Sequence, residues 1–214
     1  MISPDKLDIL QRSWVHLLSQ FQIGPAEAYP LFDRLTSAYQ EPHRHYHNLE
    51  HIAEMLKVAG KLSDQAKNVL AIQLAIWFHD AIYDPKAKDN EEQSAQLAIR
   101  ELQALRVPDS AVNEIAAMIR ATAHTESTSM DPDIAILLDA DLAILGAEES
   151  RYRRYAAAIR REYSWAEEPA YREGRKRVLE SFLKRPAIYR TARMHEVGDV
   201  PARRNLQAEI ERLS

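Results

Sequence analysis

Histidine and aspartate, the side chains best suited to hold a cation or move a proton near neutrality, gather at three places in this 214-residue chain. The first is RHYHNLEHI, Arg44 to Ile52, which contains His45, His47 and His51. Asn48 is a helix-capping residue type, and a helix that starts there stacks His47 and His51, four positions apart, on one face. The second is LAIWFHDAIYD, where His79 and Asp80 close the most apolar run of the chain and therefore sit at the deep end of a buried helix. The third is AILLDADLAIL, in which Asp139 and Asp141 interrupt another apolar helix. Carboxylates in such surroundings are paired, neutralised or bound to metal, because an unpaired buried charge is costly.

One cation can satisfy all three segments. The chain has no cysteine, which excludes thiolate ligation, disulfides and a thiol nucleophile. His51, His79, Asp80 and Asp141 make a mixed imidazole and carboxylate set suited to divalent Mn, Fe, Co, Ni, Zn or Mg. Each residue has an ordinary reading beside this one. Asp139 or Asp141 can pair with an arginine, His79 can be a hydrogen-bonded core histidine, and His43 and His45 can face solvent. The joint arrangement is harder to explain that way.

The order of a histidine, an adjacent His-Asp pair closing an apolar helix, and a distant aspartate inside another helix resembles the HD-domain metal-dependent phosphohydrolase superfamily. The stretches RHYHNLEHI, FHDAIYD, DNEEQSA and LLDADLAILG together resemble a bacterial branch described as predicted HD phosphohydrolases. The resemblance implies a helical core over roughly residues 46–145, with His51, His79, Asp80 and Asp141 as metal ligands. YHNLEH is also similar to the opening motif of cyclic-nucleotide phosphodiesterases of the same superfamily, which implies that His47 protonates the leaving oxygen while His51 binds metal. A histidine pKa near 6.5 suits that role. His47 and Asp80 are thus the candidate catalytic residues; if His47 ligates instead, the acid is unassigned.

The superfamily pattern of Ala-Asp before an apolar residue is met at Asp141 rather than Asp139. Two positions apart on a helix, the two diverge by about 200°, so Asp139 is left to orient a ligand imidazole from behind. The Gly-Tyr-Pro extension of cyclic-di-nucleotide hydrolases is missing, and there is no second full histidine set. His124, at a helix end, is the spare histidine, available to a second ion, to a substrate phosphate, or to plain helix capping.

Substrate contacts follow more weakly. Asp84, Lys86, Asn90, Glu91 and Ser94 come directly after the His-Asp pair and are expected at the rim of a site, although Asp89 with two following glutamates is also an ordinary helix start. The segment 151–193 is strongly basic while the chain as a whole carries −4. It places Tyr155, Arg160, Tyr163, Tyr171 and Arg175 on helices that can supply a phosphate clamp or nucleotide lid. Nucleic acid is disfavoured as the main substrate, because the chain is net acidic and its aromatics form no known reading motif.

These residues need a frame, and the frame reads as all-α. Apolar residues recur at three- and four-residue spacing, alternating β-branched runs are missing, and helix starts are marked by Pro or by Asp, Ser or Asn caps, as in SPDKLDILQRSW, DPDIAILLDADLAIL and VPARRNLQAEIERL. We expect about ten helices in a single HD-type domain over 1–214, with extra N- and C-terminal helices packed on the core. Neither a leader pattern nor an apolar run of about 18 residues is present, so the expectation is a soluble, unprocessed, cytoplasmic protein.

The function expected from these readings is hydrolysis of a small phosphoester, a nucleotide or related metabolite, by metal-activated water with a histidine acid. Its alternatives are a non-catalytic sensor of metal and nucleotide, and a structural metal site closed by protein ligands.

Overall fold

The computed structural model describes residues 2–124 and 131–213. Among these residues the chain forms ten α-helices and two short 3-10 turns, with no strand. The helices are α1 (Pro4–Ser19), α2 (Pro25–Ala38), α3 (Leu49–Lys61), α4 (Val69–Phe78), α5 (Asn90–Ala104), α6 (Asp109–Ala121), α7 (Pro132–Leu142), α8 (Glu149–Glu162), α9 (Glu168–Leu183) and α10 (Ala192–Leu213). No described helix is long and apolar enough to cross a membrane.

Caps set the helix starts that matter for the site. The Asn48 side chain accepts from the Glu50 N–H at 2.9 Å and starts α3, so His51 falls in its first turn. Asn68 accepts from the Ala71 N–H at 3.1 Å and starts α4. Behind that cap the buried carboxylate of Asp133, on α7, accepts from the backbone of Lys67 at 2.7 Å and of Asn68 at 2.8 Å. It thereby ties the entry of α4 to the helix that carries Asp141. α4 itself is apolar on all sides and buried from Leu74 to Phe78, as expected of a helix packed all round.

Burial divides into two apolar clusters. The larger joins α1 to α7 around Trp14, Trp77 and Phe32, whose rings meet edge to face at 5.3 and 5.6 Å. Each such contact adds about 0.5–1.5 kcal/mol beyond area burial. The smaller gathers Leu145, Tyr152, Leu179, Tyr189 and Leu206 from the end of α7, the turn Ala143–Gly146 and α8 to α10. Met194 packs against both.

The last helix differs from the one read in the sequence. VPARRNLQAEIERL marks a start at Pro201, yet α10 begins at Ala192 and keeps Pro201 inside it. An earlier start is built from tertiary contacts. Thr191 accepts from the Met194 N–H at 3.3 Å, and Asp199 accepts from the Ile188 N–H at 2.7 Å and from Arg203 at 2.8 Å. α10 then crosses the turn Ala143–Gly146 so closely that a Cβ added at Gly146 would lie 3.0 Å from the Gly198 carbonyl, and one added at Gly198 would lie 2.6 Å from the buried ring of Tyr189.

Candidate metal centre

Two histidines and a carboxylate converge where α3, the end of α4 and α7 meet; Asp80, expected as a fourth ligand, lies against His79 but outside this group. His51, His79 and Asp141 each offer a ligand atom, and these atoms all lie within 4.8 Å of one another. The Nε2 of His51 is 3.2 Å from Asp141 Oδ1, and the Nε2 of His79 is 3.0 Å from Asp80 Oδ2 and 3.8 Å from Asp141 Oδ1. Donor atoms sharing one cation at about 2.1 Å stand about 3–4 Å apart, so the spacing fits.

A stronger sign is what the two imidazoles lack. His79 caps α4, and its Nδ1 lies 2.9 Å from the Ile76 carbonyl, to which it donates; that fixes the tautomer with a lone pair on Nε2. The Nε2 atoms of both His51 and His79 are buried with no hydrogen-bond partner. Two unsatisfied nitrogens aimed at a carboxylate pair are expensive in a folded protein unless a cation lies between them.

Electrostatics points the same way. Burial disfavours ionised Asp141, yet the hydrogen bond from His124 and the close approach of the His51 imidazole outweigh it and hold that carboxyl well below its ordinary pKa. Asp80 is held low as well, with the neighbouring His79 outweighing burial. Burial lowers the pKa of His51, which favours the neutral, ligating form. Burial also acts against protonated His79, but the Asp80 and Asp141 charges prevail and raise it to about 9.

His47 lies beside this cluster, its ring 6.0 Å from that of His51. Its Nδ1 is 2.6 Å from Oε2 of Glu162, the last residue of α8, and that oxygen also accepts from the Tyr83 hydroxyl at 2.8 Å. Oε1 of the same carboxylate accepts three consecutive backbone N–H groups, from His45 at 2.7 Å, Tyr46 at 2.6 Å and His47 at 3.0 Å. Against the penalty of burial, the His47 contact and these amides pull the Glu162 pKa down to about 2. Burial opposes a charged His47, but Glu162 and the Asp80 charge raise its pKa. Glu162 was not among the residues singled out in the sequence, where it sits in an arginine-rich helix with no local motif.

His124 is brought to the cluster: its Nε2 is 2.7 Å from Asp141 Oδ2, and its backbone is left-handed at φ 51°. Asp139 goes elsewhere. It is fully buried on the opposite face of α7 and accepts from the Arg190 N–H at 2.7 Å, the Thr191 N–H at 2.8 Å and the Thr191 hydroxyl at 2.7 Å. It therefore anchors the segment before α10 and orients no imidazole, contrary to the role suggested for it.

The other sequence candidates take partners away from the cluster. Asn90 bonds both ways with the Asp84 backbone, at 3.0 and 2.9 Å, and so shapes the loop after Asp80. Glu91 lies in the first turn of α5. Arg160 donates to Glu168 at 3.0 Å and to the carbonyls of Tyr163 at 2.7 Å and Ala166 at 3.2 Å, with its guanidinium 4.5 Å from the Tyr171 ring centre. Tyr163 caps α8 beside Tyr171 and Trp165. Arg175 is buried and forks onto Glu209 at 2.8 and 3.2 Å. Arg160 and Arg175 thus knit α8, α9 and α10 together and touch none of the clustered histidines and aspartates.

A cavity of about 340 Å³ opens between α3 and α8, bounded by His45, Tyr46, His51, Arg151, Arg154 and Tyr155. A second, of about 230 Å³, adjoins it along α3 toward Lys57, Lys61 and Met194. Comparison with protein-family models, characterised proteins and solved structures found no match.

Proposed function

We propose that this chain is a divalent-metal-dependent phosphohydrolase of the HD type acting on a small phosphoester, a nucleotide or related metabolite. The observation that carries the reading is the pair of buried, partnerless Nε2 atoms of His51 and His79 facing Asp80 and Asp141. These four residues would hold the ion. When bound, such an ion supplies Lewis acidity to a phosphoryl oxygen and makes water a better nucleophile near neutrality.

The chain's own residues do the rest. Glu162 engages Nδ1 of His47, which leaves Nε2 as the ring nitrogen able to give a proton to a leaving oxygen, and the three amides on Oε1 keep the turn from rotating. His124 steadies Asp141 from the side away from His51. The adjoining cavity of about 340 Å³ is at the lower end of the range for small-molecule sites and suits a nucleotide-sized ligand better than a polymer.

The direct trial is hydrolysis of a phosphoester panel in the presence of Mn, Mg, Co, Ni and Zn. Metal-dependent turnover is expected, lost in His79→Ala and Asp80→Ala. Turnover that persists in both variants after full metal removal would refute the proposal. A second reading, binding of metal and nucleotide without turnover, is favoured by the engagement of Arg160 and Arg175 with Glu168 and Glu209, which leaves neither free to balance phosphate charge at the cluster. Tight nucleotide binding with no product on long incubation would select it.

A further inference from the structure

Arg44 belongs to the RHYHNLEHI stretch but holds none of the roles assigned above. Its side chain is completely buried. Nη1 donates to the Asp80 carbonyl at 2.6 Å and to the His47 carbonyl at 3.3 Å, Nη2 to the Ala81 carbonyl at 3.2 Å, and Nε to Glu41 at 2.9 Å. The guanidinium lies near the rings of Tyr39 and Tyr83, 5.2 and 5.4 Å from their centres. One planar fork thus spans the peptide of the candidate acid and the peptide of a candidate ligand, 33 positions apart in the chain.

The end of α4 explains why a donor is needed there. A helix leaves its last carbonyls without partners. Tyr39 donates to the Trp77 carbonyl at 3.0 Å, and Arg44 serves those of Asp80 and Ala81 just beyond, where a cation also complements the negative end of the helix. The chain leaves α4 through a turn in which the Ala81 N–H donates to the Phe78 carbonyl at 3.0 Å, so the peptide that Arg44 grips sets the direction of the Asp80 carboxylate. Glu41, its only anionic partner among the described residues, is about half exposed. A buried guanidinium served mainly by neutral carbonyls is a poor way to gain stability alone.

We propose that Arg44 is a positioning residue for the metal centre, holding the main chain of Asp80 and of His47 in one fixed relation so that both side chains address the same point. The assignment rests on the metal reading above. A lysine at this position would keep the charge but lose the fork, because a single ammonium cannot reproduce the planar set of bonds.

The test compares wild type with Arg44→Lys, Arg44→Gln and the exposed-partner control Glu41→Gln, using Co²⁺ alone as the probe. Affinity is measured by equilibrium dialysis, and geometry by the visible spectrum at saturating Co²⁺. Folding is checked by circular dichroism of the metal-free chains. Both Arg44 variants are expected to fold, to bind Co²⁺ about 10–100-fold more weakly, and to show an altered spectrum, while Glu41→Gln matches wild type. Wild-type affinity and spectrum in Arg44→Lys would overturn the assignment. Failure of both Arg44 variants to fold would also overturn it, making Arg44 a support for the whole fold. If the wild-type chain takes up no Co²⁺, the metal reading falls and this assignment with it; uptake by wild type with unchanged variants removes only the role of Arg44.

Discussion

A carboxylate that collects five donors, as Glu162 does, makes the clearest residue-scale prediction. Its folded pKa lies near 2, below the ordinary glutamate value, so its ionised form stabilises the fold above about pH 4.5. That contribution is lost as pH falls toward 2. By linkage it is worth on the order of 3 kcal/mol at neutrality. Denaturant melts of wild type and Glu162→Gln should therefore differ most above pH 5 and converge toward pH 2. His47→Gln tests the neighbouring role. It should keep the cation affinity of wild type while turnover falls about 10²–10⁴-fold, the usual worth of a positioned acid, as read by steady-state kinetics with the same metal.

At the scale of elements, α7 carries two aspartates with opposite duties. Asp141 faces the imidazoles, while Asp139, on the other side, takes three hydrogen bonds from residues 190 and 191 and so locks the start of α10. Burial pushes the Asp139 pKa up although those bonds oppose it. Asp139→Ala should leave buried N–H groups unsatisfied and lower stability by about 1–3 kcal/mol, seen as a reduced denaturation midpoint with metal uptake preserved. α10 also depends on close approach at Gly198. Gly198→Ala would force its Cβ into the Tyr189 ring, and overpacking of this kind costs about 1–3 kcal/mol. A thermal melt of the variant measures it.

Across the molecule the two apolar clusters meet near the candidate metal centre, with Met194 packed against both. His51 and His79 come from the α1 to α7 side, whereas Glu162 reaches the 45–47 turn from α8. A cation bound by the clustered side chains should therefore stabilise the assembled fold. Ligand linkage predicts about 2.7 kcal/mol at a free metal concentration 100 times Kd, measurable as a rise in Tm with Mn²⁺ or Co²⁺ that EDTA reverses. The basic segment 151–193 pairs much of its charge within the fold, with Arg160, Arg172, Arg175 and Arg177 engaging Glu168, Glu209 and Glu173.

What was legible beforehand follows from local physics. Three- and four-residue periodicity with Pro, Asn and Asp caps specifies helices, because the apolar stripe and the orphan N–H groups belong to one element. Histidine and aspartate within apolar helices likewise announce a buried polar site, since that burial needs a reason. The partners of that site were not legible. Glu162 meets His47 across 115 positions, Asp139 meets Thr191 across 52, and Arg44 meets Asp80 across 36. No helical period or capping rule links such distant residues. Only the packing of α3, α4, α7 and α8 decides which donor reaches which acceptor, because a hydrogen bond needs its atoms within about 3 Å, a condition met only once the chain has folded.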